Sequence, residues 1–201
     1  VYNLGTEGKS LLFVATKKQA GPIVQEAAKR LNAPYMIERW MGGFLTNHDE
    51  IYKNIKKLKE YLGQKESGKL AKYTKKEQLL LERAMNKLQR DFEGVLEFEG
   101  LPDAVFIIDT VSENVAVREA SRMKIKIVAI ADSNSDPSNI DYPIPGNDDA
   151  IKSIQILTNA VANAYEEGKK EAGKIAEKKA VEEAKAKEKA DKIEIEVTKV
   201  E

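Results

Sequence analysis

The sequence predicts a three-layer α/β fold, flavodoxin-like or Rossmann-like, whose parallel sheet is interrupted by an inserted antiparallel helical hairpin. Three observations predict it. Short, continuous apolar runs alternate with helical stretches, as expected of parallel strands buried on both faces. The alternation fails between Thr46 and Phe92, where two apolar stripes of similar length flank a polar loop. Charge is also uneven. The 201 residues sum to zero, yet Lys53 to Arg90 holds 12 Lys/Arg against 4 Asp/Glu, a net of +8.

Taken in order, "LLFVAT" (Leu11 to Thr16) reads as a buried strand. Pro22 is tolerated only in a first helical turn, so the next helix runs from near Gly21 to Leu31. "PYMIE" (Pro34 to Glu38) is a second strand. Thr46 and Asp49 fit a capping box, and Ile51, Ile55, Leu58 and Leu62 then form one apolar stripe. Gly63 and Gly68 interrupt it. Thr74 and Glu77 make a second capping box ahead of Leu81, Ala84, Met85, Leu88 and Phe92. The two stripes read as a short antiparallel coiled coil, each arm extending roughly 25 Å at 1.5 Å per residue.

"DAVFIID" (Asp103 to Asp109) and "IKIVAIA" (Ile125 to Ala131) are the third and fourth strands, with a helix from Glu113 to Met123 between them. "DYPI" is an edge strand at best, because proline cannot donate to a ladder. Ile151, Ile154, Leu157, Val161 and Tyr165 share a helical face. Asn147 is placed to cap that helix, with Asp148 and Asp149 in the first turn and Gly168 as its stop. From Lys169 the chain is Ala, Lys and Glu with few large apolar residues, a transient helix or a disordered tail. The division is an α/β domain over 1–46 and 93–168, a hairpin over 47–92, and a charged tail over 169–201.

The chain has no cysteine, so thiolate metal sites and disulfides are excluded, which suits a reducing compartment. No apolar run approaches the roughly 18 residues of a membrane span. The first residue is Val rather than Met, the mark of a processed or truncated chain.

Asp109 and Asp132 each follow a buried strand, where open α/β sheets hold ligands, and together could bind Mg²⁺. Each could equally begin a turn. No nucleophile–base pair accompanies them, and the lone His48 lies at the start of the hairpin. "GTEGKS" (Gly5 to Ser10) has two residues between its glycines where a phosphate loop needs four, and it precedes its strand. Lys17 and Lys18 lie near a helix N-terminus, where an external anion would relieve an unfavourable placement. In "ERWMGGFLTN" (Glu38 to Asn47), Arg39 offers a phosphate fork beside Trp40, a stacking face. Gly42 and Gly43 allow close backbone approach. The alternatives are two solvated lysines, a buried Trp and a tight turn.

"LFVATKKQA", "ERWMGGFLTN", "GLPDAVFIIDT", "VAIADSNSDP" and "DYPIPGNDDAIKSIQ", in this order and spacing over roughly Lys9 to Gly168, resemble the bacterial-type small-subunit ribosomal protein two family. That resemblance implies an α/β sandwich with a protruding helical hairpin. It implies a non-enzymatic structural role, binding small-subunit rRNA near the head–body junction and helping to dock other small-subunit proteins, including the large protein one. It implies a cytoplasmic ribosome, with an organellar one as the alternative, and no membrane, metal or cofactor. The RNA-binding residues expected are Lys17, Lys18, Arg39, Trp40, Thr46 and Asn47, with the hairpin's Lys53, Lys56 and Lys57 adding charge. Family members carry a further segment ahead of this point, including a "GVHFGH"-like stretch. They have a Gly-Ile-Pro type turn where this chain has "MKIKIVA", and a small or polar residue at Phe44. The rival readings are a Mg²⁺-dependent phosphotransferase or hydrolase using Asp109 and Asp132, and a protein-interaction module built on the hairpin.

Overall fold

The computed structural model describes the backbone of residues 1–67 and 73–197 and the side chains of 1–67 and 73–175. Its centre is a five-stranded, all-parallel sheet in the order β2-β1-β3-β4-β5. The strands are β1 (Leu11–Val14), β2 (Tyr35–Met36), β3 (Ala104–Ile108), β4 (Lys126–Ala131) and β5 (Tyr142–Pro145). Every residue of β1 and β3 is buried, as a strand covered on both faces requires. The order reverses between β1 and β3, whose registers pair Leu11 with Ala104 and Val14 with Ile107. Open α/β sheets form their ligand crevice at such a reversal, beyond the carboxyl ends of the strands.

One face carries Leu12, Val14, Val105, Ile107, Ile127 and Ala129. It packs on α5 (Asn114–Arg122) through Ala116, Val117 and Ala120, and on α3 (His48–Glu66) and α4 (Lys75–Phe92) through Ile51, Ile55, Leu58, Met85 and Phe92. The opposite face presents Phe13 and Phe106, whose rings meet edge to face at 5.6 Å. α2 (Gly21–Leu31) contacts β1 and β2 and buries Val24, Ala27, Ala28 and Leu31. α6 (Ile151–Val197) begins over the same sheet, where a Cβ on Gly146 would meet Leu157 and Ile130.

Helices α3 and α4 follow β2 and touch one another. Thr74 forms both bonds of its capping box with Glu77. The Thr46–Asp49 box is absent: Asn47 stands at the N-cap of α3 without a side-chain bond, because Thr46 is engaged elsewhere. Gly63 does not interrupt α3, and Gly68 with the rest of the predicted polar loop lies outside the described residues.

The chain divides into two compact units, Ser10–Ala162 and a smaller one of Val1–Lys9 with α6 from Asn163 onward. In the smaller unit α1 (Tyr2–Thr6) crosses α6 at backbone contact. A Cβ on Gly168 would lie 2.2 Å from the Tyr2 carbonyl oxygen, and one on Gly5 would lie 2.5 Å from that of Tyr165. The Tyr165 hydroxyl donates to the Lys9 carbonyl at 2.7 Å. Gly168 is therefore a packing residue, not a stop, and α6 runs on through it.

At the start of α6, Asn147 Oδ1 accepts from the backbone N–H groups of Asp149 and Ala150 at 2.8 and 2.9 Å. This closes a turn ahead of the helix rather than capping it: α6 begins at Ile151 with no acidic residue in its first turn, so Asn147 is not its N-cap and Asp148 and Asp149 lie before it. Asn147→Ala removes the acceptor of two turn N–H groups and should cost about 0.5–1.5 kcal/mol, measured by urea unfolding. A loss below a few tenths would mean that water replaces that acceptor.

Candidate functional site

The crevice at the sheet reversal is filled by the protein's own charges. Lys17, three residues beyond β1, sends its ammonium to Asp109 at 3.1 Å, Asp148 at 2.9 Å and Asp149 at 2.6 Å. Asp109, just past β3, has φ +66, a left-handed conformation that Asp adopts more readily than most residues. Its carboxylate accepts from the Ser112 N–H at 3.0 Å and the Ser112 hydroxyl at 2.8 Å. Burial opposes ionisation of Asp109. The two Ser112 bonds and the Lys17 charge outweigh it and hold the carboxyl below its ordinary value. Burial likewise opposes the charge on Lys17, but the three aspartates override it and raise the ammonium's pKa.

Glu113, 3% exposed, accepts from the Thr16 N–H at 3.1 Å and from the Thr16 hydroxyl. Burial foremost, with the nearby Asp109 charge adding to it, pushes this carboxyl up against the opposing Thr16 bonds. Its ionisation therefore costs stability as pH rises from the unfolded value of 4.5 through the folded one.

A second buried carboxylate organises the "RWMGGFLTN" loop. Glu119 on α5 is 8% exposed. It accepts from Trp40 Nε1 at 3.2 Å, Gly43 N at 2.7 Å, Leu45 N at 3.1 Å and Thr46 N at 3.4 Å; the Thr46 hydroxyl lies at 3.4 Å. Gly43 has φ +87, which lets the chain turn its N–H groups towards one acceptor. Sequence reasoning missed Glu119. Its signal was a Glu between Ala116 and Ala120 on the apolar face of α5.

These contacts revise the expected RNA-binding set. Trp40 is 7% exposed, its ring edge-on to Phe44 at 5.5 Å, so it is a core residue and offers no stacking face. Phe44 is 1% exposed and fills that core. Lys17 is neutralised internally and does not await an outside anion. Thr46 is tied to Glu119. Lys18, Arg39 and Asn47 are exposed. So are Lys53, Lys56 and Lys57 on α3. Lys53 pairs with Glu50 at 2.7 Å, Lys56 lies 5.0 Å over the Tyr52 ring, and Lys57 lies 5.7 Å over Tyr61. His48 stacks on Tyr52 at 5.7 Å. Asp109 and Asp132 each begin a turn, the alternative to a shared ion: Asp109 binds Ser112 and Lys17, whereas Asp132 accepts from the Ser133 N–H. Lys124 stands with φ +57 in the turn between α5 and β4.

The family model described as ribosomal protein S2 matches residues 1–168. The chain belongs to the ribosomal protein S2 family. Relatives named small ribosomal subunit protein uS2 match most of the chain. The one from Hahella chejuensis is 45% identical over 164 residues, 82% of this chain and 65% of the relative. The one from Nitratiruptor sp. is 48% identical over 169 residues, 84% of this chain and 63% of the relative. The one from Mycobacteroides abscessus is 47% identical over 161 residues, covering 80% and 58%. The chain thus spans less than two thirds of the length of these S2 relatives. Within the S2 family match lie both buried carboxylate networks and the basic helices α3 and α4. Among the described residues, no helix is long and apolar enough to cross a membrane.

Proposed function

We propose that the chain is a non-enzymatic structural component of the small ribosomal subunit that binds rRNA through exposed cations. The observation that carries this reading is the S2 family match over residues that include a +8 segment on α3, α4 and the stretch between them. A clustered positive surface on a neutral chain is the footprint of a polyanion partner. The internal neutralisation of Lys17 supports the same reading, since the crevice that would take a small ligand in this fold holds an ion-pair network instead.

The hairpin is proposed as an antiparallel coiled coil over 47–92, its distal lysines carried away from the α/β domain of 1–46 and 93–168. Lys53, Lys56 and Lys57 contact RNA from α3. Lys18 and Arg39 contact it from the loops beyond β1 and β2, with Asn47 beside them. In a parallel sheet these loops leave from one edge, and Val14 pairs with Met36 at their start. Neighbouring small-subunit proteins, among them the large protein one, dock on the assembled particle, and the site of action is the ribosome, in the cytoplasm. The charged segment from Lys169 is assigned no chemistry.

Filter binding to a small-subunit rRNA fragment across a salt series tests this. Each lost phosphate contact should lower the log–log salt slope by about 0.7–0.9. Lys18→Ala with Arg39→Ala should flatten it by about 1.4–1.8, and Lys53→Ala, Lys56→Ala and Lys57→Ala by about 2.1–2.7. Folded variants of both kinds with unchanged affinity and slope would refute RNA binding by these surfaces.

A further inference from the structure

We infer that a cavity at the amino end of β2 is a docking pocket for an arginine side chain, carried by a basic segment of a neighbouring protein. The choice of partner rests on the proposed reading of the chain as an rRNA-binding component of a particle. The cavity lies on the edge of the sheet opposite the Lys17 network, since β2 runs parallel to β1. It holds about 350 Å³, within the range of about 300–1,000 Å³ usual for ligand sites, and opens between the C-terminal end of α2 and the stretch from Glu93 to Phe98.

The backbone around it is placed before any partner arrives. Gly94 holds the acidic stretch against the strand: a Cβ there would lie 2.2 Å from the Tyr35 carbonyl oxygen and 2.5 Å from its ring. Tyr35 and the half-buried Phe98 give the cavity aromatic walls, and Ala28 and Pro34 an aliphatic one. Glu93 and Glu97, both exposed, bring it two carboxylates. α2 ends there too, and a helix C-terminus is the negative end of its dipole. Carboxylates, a helix C-terminus and ring faces all favour a cation.

Lys29 shows that preference from within the chain without meeting it. Its ammonium lies 3.8 Å from Glu93 and 6.0 Å over the Tyr35 ring, each at the outer limit of such a contact. The lysine and Glu93 are 57% and 54% exposed, so the pair is weak and easily displaced. From Asp91 to Glu99 the chain has four carboxylates and no Lys or Arg. Asp91 pairs with Arg90 at 3.2 Å and Glu99 takes the Tyr52 hydroxyl at 3.4 Å. Glu97 has no partner among the described residues. Lys29 against Glu93 and Glu97 leaves one negative charge, which a single incoming cation balances. Arginine suits the walls better than lysine, because its guanidinium stacks on a ring while forking onto carboxylates, and its stem lies along aliphatic surface. Two carboxylates repel phosphate, so in a particle of RNA and protein this pocket faces a protein, and proteins that share an RNA supply basic segments.

The test uses the full chain, isotope-labelled for NMR, and a capped Gly-Arg-Gly-Arg-Gly peptide. The amides of Gly94, Glu97 and Phe98 should shift saturably, at about 1 mM peptide or below, while those of the Lys17 loop stay still. The same peptide with citrulline for arginine, equal in shape but uncharged, should shift none of them. Glu93→Gln with Glu97→Gln changes exposed positions, so the fold should persist by circular dichroism while affinity falls at least about tenfold. Phe98→Leu keeps the charges and should weaken binding about threefold or more. Lys29→Ala vacates the site and should tighten it severalfold. Unchanged affinity in the folded double variant, or shifts spread over every acidic surface, would overturn the pocket. Spermidine binding more tightly than the peptide would give the pocket to a free polyamine and overturn the protein partner. The double variant should still bind the small-subunit rRNA fragment. A chain that takes the peptide but no RNA would overturn the RNA reading, and one that takes the RNA but no peptide would overturn this inference alone.

Discussion

Glu119→Ala should abolish most of the stability of the domain. The carboxylate satisfies Trp40 Nε1 and the N–H groups of Gly43, Leu45 and Thr46 at one buried point. Its removal orphans several donors at once, each costing about 1–3 kcal/mol. The effects are not additive, but a total of about 4 kcal/mol or more is expected, against a typical total stability of about 5–15 kcal/mol. Gln is no rescue. Its single oxygen can serve one side of the carboxylate, but its NH₂ group would face the donors on the other. Trp40 is the chain's single tryptophan, so its fluorescence reports the event: the emission should shift to the red and the urea midpoint should fall sharply. A variant within about 1 kcal/mol of wild type, with an unshifted spectrum, would show that water can replace the carboxylate.

Lys17→Met should be comparably severe, and its pH dependence identifies the cause. It leaves Asp109 and Asp148, 6% and 3% exposed, without their ammonium. Breaking a buried pair from one side costs about 3–5 kcal/mol. In the wild type, the folded pKa of Asp109 lies below its unfolded 3.8, so its contribution is present above pH 3.8 and lost as pH falls through the folded value. The folded pKa of Lys17 lies above its unfolded 10.5. Its contribution is therefore full below pH 10.5 and lost as pH rises through the folded value. The network stands between these limits. In Lys17→Met Asp109 loses the ammonium that helps hold its carboxyl down and binds a proton more readily, so the deficit against wild type should be largest near neutrality and shrink towards pH 4. Unfolding is followed in EDTA so that no cation substitutes for the ammonium. A deficit independent of pH would mean lost packing rather than stranded charge.

The strands were legible because burial on both faces leaves little choice of residue: "LLFV", "AVFII" and "KIVAIA" are β1, β3 and β4 with their ends trimmed. The bounds of α2 were legible because Pro22 fixes where that helix can start. The networks were not legible, because they join residues far apart in the chain. Lys17 meets Asp148 131 positions later, and Glu119 meets Trp40 79 positions earlier. No local pattern records such a meeting. Lys17 beside a helix start reads as open to an external anion or to solvent, whereas its partners are three aspartates of the chain itself. Trp40 was misread because an aromatic next to Arg39 looks the same in sequence whether its ring faces solvent or the core. Gly168 was misread for a related reason: a glycine that ends a helix and one that admits a crossing helix differ only in what approaches them.

The edge strand β5 bears on how copies of the chain meet one another. Gly146 N donates to Ala131 O, so the amides of the even-numbered residues of this strand face β4 and those of the odd-numbered ones face outward. The outward positions within β5 are Pro143 and Pro145, which have no amide hydrogen to offer. A second chain approaching this border finds carbonyls but no donors opposite its own carbonyls, and a parallel or antiparallel ladder needs both. The border is thus chemically one-sided and cannot template edge-to-edge polymerisation. Restoring the donors with Pro143→Val and Pro145→Thr would open that route, so at this border two prolines keep one copy of the sheet from extending another.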